Sequence, residues 1–226
     1  MRVAAALVLA AASVSGAACQ QPAIAAERIV EAPPAQRTAK EGKGLKTAIF
    51  AGGCFWGVEA VFSHTSGVTS AIAGYHGGTA RQADYKLVSS GVTDHAEAVK
   101  VTYDPSKIRY DQLLRIYFSV VADPTLLNRQ GPDRGAHYRT ALVPLSGEQA
   151  AVAKAYIAQL ERAGTWDRPI VTKLERLKKF YAAETYHQDF AAKNPNNGYI
   201  RRWDAPKVAA LKRLYPKTYR AEFRRN

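Results

Sequence analysis

From Thr47 onward, the apolar and polar positions alternate between short strand-like runs and longer helix-like runs. Short apolar runs bounded by turn residues favour strands, whereas apolar positions three and four apart favour helices. Ser146 with Gln149 three residues later is typical of a helix start. The pattern predicts strands at Thr47–Ala51, Val68–Gly74, Glu97–Tyr103, Arg139–Pro144 and Ile170–Leu174, and helices at Phe55–His64, Asp111–Val121, Glu148–Ala163 and Glu184–Ala192.

Strands mixed with helices at these spacings predict an α/β fold, in the form of a two-layer α/β sandwich. The chain has 226 residues, of which 47% are hydrophobic and 23% charged. This composition is sufficient for one domain with a substantial core, which we place at residues 47–226.

The N-terminus has the pattern of an export signal. Met1-Arg2 precedes an apolar run from Val3 to Ala18, which is too short to span a membrane, and Ala23-Ile24-Ala25 offers a cleavage site. We therefore expect residues 1–25 to be a signal peptide and the protein to be exported, most simply to a bacterial periplasm. Lipid attachment at Cys19, which would make a lipoprotein, is the open alternative.

Residues 26–46 carry Pro33-Pro34, charges of both signs and little apolar content. Segments of this composition bury too little apolar surface to fold by themselves. We expect this segment to be a flexible spacer between the export signal and the domain.

The formal net charge is +13, and residues 151–226 contain 17 Lys or Arg against 7 Asp or Glu. Basic residues interleaved with aromatic ones are typical of nucleic-acid surfaces. The alternative is a solvated basic surface whose aromatic side chains pack inward. The export signal favours that alternative, so no nucleic-acid partner is expected.

Three common kinds of site are not supported. His95-Ala96-Glu97 matches half of a zinc deaminase signature, but no Pro-Cys-x-x-Cys follows it. The five histidines lack the ligand spacing of a zinc site. Gly52-Gly53 with Gly57 is not the arrangement that a dinucleotide pyrophosphate requires.

Cys54 is the only cysteine outside the N-terminal signal region, and it lies in the motif Gly53-Cys54-Phe55-Trp56-Gly57. It follows a predicted strand and precedes a predicted helix, where free N–H groups and the helix dipole favour an anion. We therefore expect a lowered pKa and a reactive thiolate. A buried cysteine that acts only as a small hydrophobic side chain is the alternative.

Several motifs in a fixed order carry a resemblance to a known family. Together they resemble the peptide methionine sulfoxide reductase A family, from about Thr47 to the C-terminus. This implies a ferredoxin-like core with a mixed sheet and a coil-rich C-terminal segment, with residues 47–226 as the catalytic domain. The motifs are Gly53–Gly57, Gly91–Glu97, Asn128–Arg139, Ala183–Gln188 and Tyr199–Lys207.

The resemblance implies roles for Cys54 and Glu97. Cys54 would attack the sulfur of methionine sulfoxide as the nucleophile. The departing oxygen must be protonated, and Glu97 matches the acid of the family. A buried carboxyl group can keep its proton near neutral pH.

Five further residues match positions of the family site. Tyr85 and Tyr138 would donate hydrogen bonds to the sulfoxide oxygen, and Asp133 would orient the site. Phe55 and Trp56 would form an apolar cage for the substrate methyl group. Without the resemblance, Tyr85 and Tyr138 would be read as core residues and Asp133 as a loop residue.

The resemblance implies reduction of the S-epimer of methionine sulfoxide, free or in oxidised proteins, without a metal, flavin or nicotinamide. Many relatives carry a recycling cysteine near the C-terminus, but here Ile200 follows Tyr199 and no cysteine follows Cys54. We therefore expect an external thiol reductant, thioredoxin-like or glutathione-linked. The alternatives are a thiol peroxidase, or a basic exported binding protein with an incidental cysteine.

Overall fold

A six-stranded mixed sheet lies at the centre of the computed structural model, which describes residues 28–225. A separate two-stranded hairpin and several helices complete the described part. The strands are β1 (Lys46–Gly52), β2 (Val68–His76), β3 (Ala96–Tyr103), β4 (Arg129–Gln130), β5 (Asp133–Arg134), β6 (Thr140–Val143), β7 (Lys173–Leu174) and β8 (Phe180–Ala182). The α-helices are α1 (Phe55–Ser63), α2 (Tyr85–Ser89), α3 (Tyr110–Ile116), α4 (Gly147–Arg162), α5 (Phe190–Lys193) and α6 (Ala205–Leu214).

The sheet has the strand order β7-β6-β1-β3-β2-β8. Every neighbouring pair is antiparallel except β6 and β7, which are parallel. The four central strands, with α1 between β1 and β2 and α3 between β3 and β6, follow the ferredoxin-like order. The predicted α/β class with a mixed sheet is confirmed.

The two faces of the sheet bury different side chains, as the period of two along a strand requires. Phe50 of β1 belongs to the larger core, and its ring lies 4.7 Å from Phe62 of α1 and 5.7 Å from Tyr117. Its neighbours Ile49 and Ala51 point to the opposite face, where small side chains form a second cluster. This packing holds α1 against the larger-core face of the sheet.

The boundaries of three predicted elements differ from the prediction. The helix expected at Asp111–Val121 is α3 followed by a π-helical turn at Tyr117–Val121. The strand expected at Ile170–Leu174 is reduced to the two residues that pair with β6. The helix expected at Glu184–Ala192 is a 3₁₀ turn at Thr185–His187 and then α5, because Asp189 between them has φ of +55°.

The described part of the predicted spacer is packed against the domain, which corrects the expectation of flexibility. Tyr103 donates a hydrogen bond of 2.5 Å to Glu41, Tyr156 donates one of 2.6 Å to the Pro33 carbonyl, and the Ala39 N–H donates one of 2.9 Å to Asp111. Residues 28–45 contain no regular helix or strand, so these hydrogen bonds hold an irregular chain. The predicted signal peptide, residues 1–25, lies outside the described residues.

None of the helices within residues 28–225 combines the length and apolar character that crossing a bilayer requires.

Candidate active site

The turn between β1 and α1 positions Cys54. Gly53 has φ of +87°, and a Cβ at this position would lie 2.6 Å from Cβ of Gln130, so the turn requires glycine for both conformation and space. Cys54 is the N-cap of α1, and its carbonyl accepts a hydrogen bond of 3.2 Å from the Gly57 N–H. The sequence motif therefore places a half-buried thiol at the start of a helix.

The surroundings of Cys54 raise the pKa of its thiol well above the ordinary value, which corrects the expected lowering. Burial is the largest cause, and the nearby carboxylates of Glu97 and Asp204 add to it. A hydrogen bond from the backbone N–H of Trp56 acts in the opposite direction without reversing the shift. Without substrate, the protein therefore holds a thiol rather than a thiolate.

Glu97 lies on β3 beside the start of α1. Its side chain is buried, and its Oε2 atom accepts a hydrogen bond of 2.9 Å from the Phe55 N–H. Burial raises its pKa to about 8; the Phe55 N–H lowers the value, and the carboxylates of Asp133 and Asp204 raise it further. A carboxyl group in this environment carries a proton at neutral pH.

Tyr85 and Tyr138 reach the same site from separate elements. Tyr85 begins α2, and its backbone N–H donates a hydrogen bond of 2.9 Å to Glu184. Tyr138 ends the 3₁₀ turn at Ala136–Tyr138. Burial, followed by proximity to Glu97, raises the pKa of both hydroxyls, so both remain protonated hydrogen-bond donors.

Asp133 on β5 accepts a hydrogen bond from the Tyr199 hydroxyl. Burial raises the pKa of Tyr199, and Cys54 and Asp133 raise it further, which places this tyrosine near the thiol. Asp133 is among the predicted site residues, and Tyr199 lies in the motif Tyr199–Lys207. No role for Tyr199 itself was predicted.

Aromatic side chains form one wall of the site. Trp56 stacks on Phe190 with ring centroids 3.8 Å apart and planes 9° apart, and Tyr199 meets Trp56 edge-on at 6.0 Å. The indole N–H of Trp56 donates a hydrogen bond of 3.1 Å to His187. Phe55 is buried, with its ring 5.0 Å from His187. His187 lies in the motif Ala183–Gln188, although no role was predicted for it, and Phe190 lies outside every motif named above.

Asp204 is the third carboxylate of the site. It ends a π-helical turn at Ile200–Asp204 and lies against α1, where a Cβ on Gly57 would collide with its carboxylate. Asp204 is 2% exposed, and it raises the pKa of both Cys54 and Glu97. Nothing in the local sequence indicated this contact, because 150 residues separate Asp204 from Cys54.

All seven predicted site residues thus lie in one region around the start of α1. The arrangement offers a thiol, a protonated carboxyl group, two hydroxyl donors and an aromatic wall. Together these groups suit nucleophilic attack on an atom that carries both a polar group and apolar substituents. Within residues 28–225, no group of three or more His, Cys, Asp or Glu side chains is arranged to hold a metal ion.

A family model described as peptide methionine sulfoxide reductase matches residues 46–219. The chain is 52% identical over 180 residues to peptide methionine sulfoxide reductase MsrA 2 of Mesorhizobium japonicum, covering 80% of this chain and 92% of the relative. It is 48% identical over 174 residues to the MsrA of Deinococcus radiodurans, covering 77% of this chain and 84% of the relative.

Solved structures of the same family share the fold. The crystal structure of reduced Mxr1 from Saccharomyces cerevisiae matches with a TM-score of 0.62 and 34% identity, over 71% of this chain and 92% of that one. Methionine sulfoxide reductase A of Corynebacterium diphtheriae matches with a TM-score of 0.57 and 32% identity, over 67% of this chain and 76% of that one. The chain belongs to the peptide methionine sulfoxide reductase A family and is an oxidoreductase that reduces methionine sulfoxide.

Proposed function

We propose that the protein reduces the S-epimer of methionine sulfoxide, free or in oxidised proteins, through a sulfenic acid on Cys54. The observation that carries this proposal is the buried Glu97 carboxyl group, with a pKa of about 8, hydrogen-bonded to the residue that follows Cys54. A nucleophile and a proton donor then act on adjacent atoms of one substrate.

The proposed step balances as follows. Glu97 gives its proton to the sulfoxide oxygen, which makes the substrate sulfur more electrophilic, and the sulfur of Cys54 attacks. The oxygen passes to Cys54 as the sulfenic acid, methionine leaves, and the thiol proton returns to Glu97. Tyr85 and Tyr138 stabilise the charge that grows on the oxygen during this transfer.

Selection of one epimer follows from three fixed contacts. The methyl group lies against Trp56, the oxygen faces Glu97 and the tyrosine hydroxyls, and the sulfur faces Cys54. Exchanging the positions of the methyl group and the oxygen would place the oxygen against an apolar wall without hydrogen-bond donors. The family resemblance supports S as the epimer that is accepted.

An external thiol completes the cycle in this proposal. Cys54 is the only cysteine among residues 28–225, and the C-terminal segment, near which the resemblance implies a recycling cysteine in many relatives, contains none. The sulfenic acid then reacts with two external thiols, giving Cys54 thiol, a disulfide and water. A thioredoxin-like or glutathione-linked donor meets this requirement.

We further propose that the protein works after export, most simply in a bacterial periplasm. Support comes from the apolar run between Val3 and Ala18 and from the cleavage site at Ala23-Ile24-Ala25. Mass spectrometry of the mature N-terminus tests this proposal and separates cleavage near Ala25 from lipid attachment at Cys19. A chain that retains Met1 in the cytoplasm would contradict it.

The experiment for the reaction is an assay of purified protein with each sulfoxide epimer and with hydrogen peroxide, each supplied with dithiothreitol. We expect turnover of the S-epimer alone. Turnover of peroxide, without turnover of either epimer, would instead support the thiol peroxidase alternative. Turnover of the R-epimer at a comparable rate would contradict the three-contact account of selectivity.

A further inference from the structure

Glu59 is a buried carboxyl group that the proposed reaction does not use. It lies on α1, one and a half turns after Cys54, with 0% of its surface exposed. Burial raises its pKa to about 8, while hydrogen bonds from the backbone N–H groups of Asp189 and Phe190 act to lower it. Burying a carboxyl group costs free energy unless hydrogen-bond partners compensate for it. The contacts of Glu59 therefore indicate which part of the structure it stabilises.

The two backbone donors belong to the turn that begins α5. Asp189 has the left-handed φ of +55°, which is unfavourable for a residue with a side chain. From the other side, Lys193 donates a hydrogen bond of 2.7 Å to the Gln188 carbonyl and lies 3.7 Å from the Asp189 carboxylate. Glu59 therefore supports this unusual turn from the protein interior, while Lys193 supports it from the surface.

Phe190 connects the turn to the substrate wall. Its ring stacks on Trp56 at 3.8 Å, and His187, three residues earlier, accepts the indole hydrogen bond of Trp56. The segment His187–Phe190 thus supplies the stacking contact and the hydrogen bond of Trp56, while Tyr199 supplies a third, edge-on contact. The position of the indole depends on where this segment is held.

We propose that Glu59 is a positioning residue for methionine sulfoxide binding, because it caps α5 and thereby holds Phe190 against Trp56. This inference rests on the proposed function of the site. Glu59 makes no contact with the substrate in this account, and its effect passes entirely through Phe190. Removing its acceptor should therefore weaken substrate binding more than it slows the chemical step.

The test uses Glu59→Met, Phe190→Leu and the double variant, with Glu161→Met on the surface of α4 as the matched control. Methionine approximates the size and shape of the glutamate side chain but offers no oxygen acceptor to the backbone N–H groups. Two readouts are compared: the KM and kcat for the S-epimer, and the fluorescence of Trp56. The latter is isolated by subtracting the spectrum of each variant that also carries Trp56→Phe.

We expect Glu59→Met to raise KM about tenfold while kcat changes by less than about threefold, and to shift the Trp56 emission to longer wavelength. The double variant should be no worse than the more impaired single variant, because both changes act through one contact. The control should match the wild type in both readouts. Wild-type KM and emission in Glu59→Met, or additive effects in the double variant, would overturn the inference.

Two further outcomes keep the test decisive. Should Glu59→Met fail to fold, Phe190→Ala alone must raise KM and shift the Trp56 emission; wild-type values for both would overturn the inference. A wild-type protein that reduces neither epimer would refute the proposed function, and Trp56 emission would still report whether Glu59 positions the indole. If the wild type is active but the Trp56 emission does not change when Glu59 is replaced, only this inference is refuted.

Discussion

The Glu97 carboxyl group accepts a hydrogen bond of 2.9 Å from the backbone N–H of Phe55, the residue that follows Cys54. One carboxyl oxygen is thereby fixed to the start of α1, and the other is left to carry the proton. The same turn positions the thiol, so the nucleophile and the acid are held by adjacent peptide units. This geometry relates the fold directly to the chemistry that we propose.

Replacing Glu97 with glutamine should preserve the fold and slow the reaction by about 10²–10⁴-fold. The amide oxygen can still accept the Phe55 N–H, but the side chain cannot deliver a proton to the sulfoxide oxygen. The measurement is single-turnover release of methionine from the S-epimer, with circular dichroism as the check on folding. A variant that reacts at the wild-type rate would show that Glu97 is not the acid.

The pH dependence of kcat/KM should follow the protonation of Glu97. Its pKa is raised from the usual 4.5 to about 8, so the acid form dominates at neutral pH and is lost as the pH rises through about 8. The rate should therefore fall above about pH 8, and Glu97→Gln should lack this decline. Glu59 titrates near the same pH, so Glu59→Gln serves as the control that retains it. A rate that climbs steadily from pH 7 to 9 would contradict the assignment.

Trp56→Ala should act mainly on substrate binding, since it removes the apolar wall that receives the methyl group. We expect KM to rise by about tenfold or more, with a smaller change in kcat, in initial-rate measurements over a wide substrate range. Trp203→Ala, at a half-buried tryptophan outside the aromatic wall, is the comparison. An unchanged KM in Trp56→Ala would remove Trp56 from the binding site.

The packed N-terminal segment should contribute to stability. Glu41 accepts hydrogen bonds from the Tyr103 hydroxyl and from the Tyr110 N–H at the start of α3. Glu41→Ala should lower the free energy of unfolding by about 1–3 kcal/mol, because both donors lose their acceptor. Urea denaturation measures this loss. Glu31→Ala, which removes only an exposed ion pair with Arg115, should cost less than about 1 kcal/mol. Equal costs for the two variants would indicate that the segment adds no specific stability.

The local parts of the fold and site could be predicted from the sequence. The strand–turn–helix around Cys54 is encoded by adjacent residues, because Gly53 supplies the positive φ that the turn requires. The capping of α4 by Ser146 is also local, and its side chain accepts the Gln149 N–H at 3.2 Å as expected. The motifs that indicated Glu97 and Tyr138 likewise lie within short segments.

Features that depend on distant partners could not be predicted in this way. The pKa of Cys54 was expected to fall, but burial and the carboxylates of Glu97 and Asp204 outweigh the helix terminus. The predicted helix at Glu184–Ala192 is interrupted at Asp189, which has a left-handed φ of +55° and whose backbone N–H donates to Glu59 on another helix. Residues 26–46 have little apolar content, which predicts a flexible spacer. The described part is instead held by hydrogen bonds to distant residues and by the packing of Ala32 and Ala39 into the core.

The central claim is that Cys54 accepts the sulfoxide oxygen and no second cysteine of the domain resolves the product. The most direct measurement is a single turnover of the exported protein with the S-epimer and no reductant, followed by dimedone and mass spectrometry. The account predicts one methionine released per chain and one dimedone adduct, located on Cys54. Methionine release from Cys54→Ser, or a Cys19–Cys54 disulfide in place of the adduct, would contradict it.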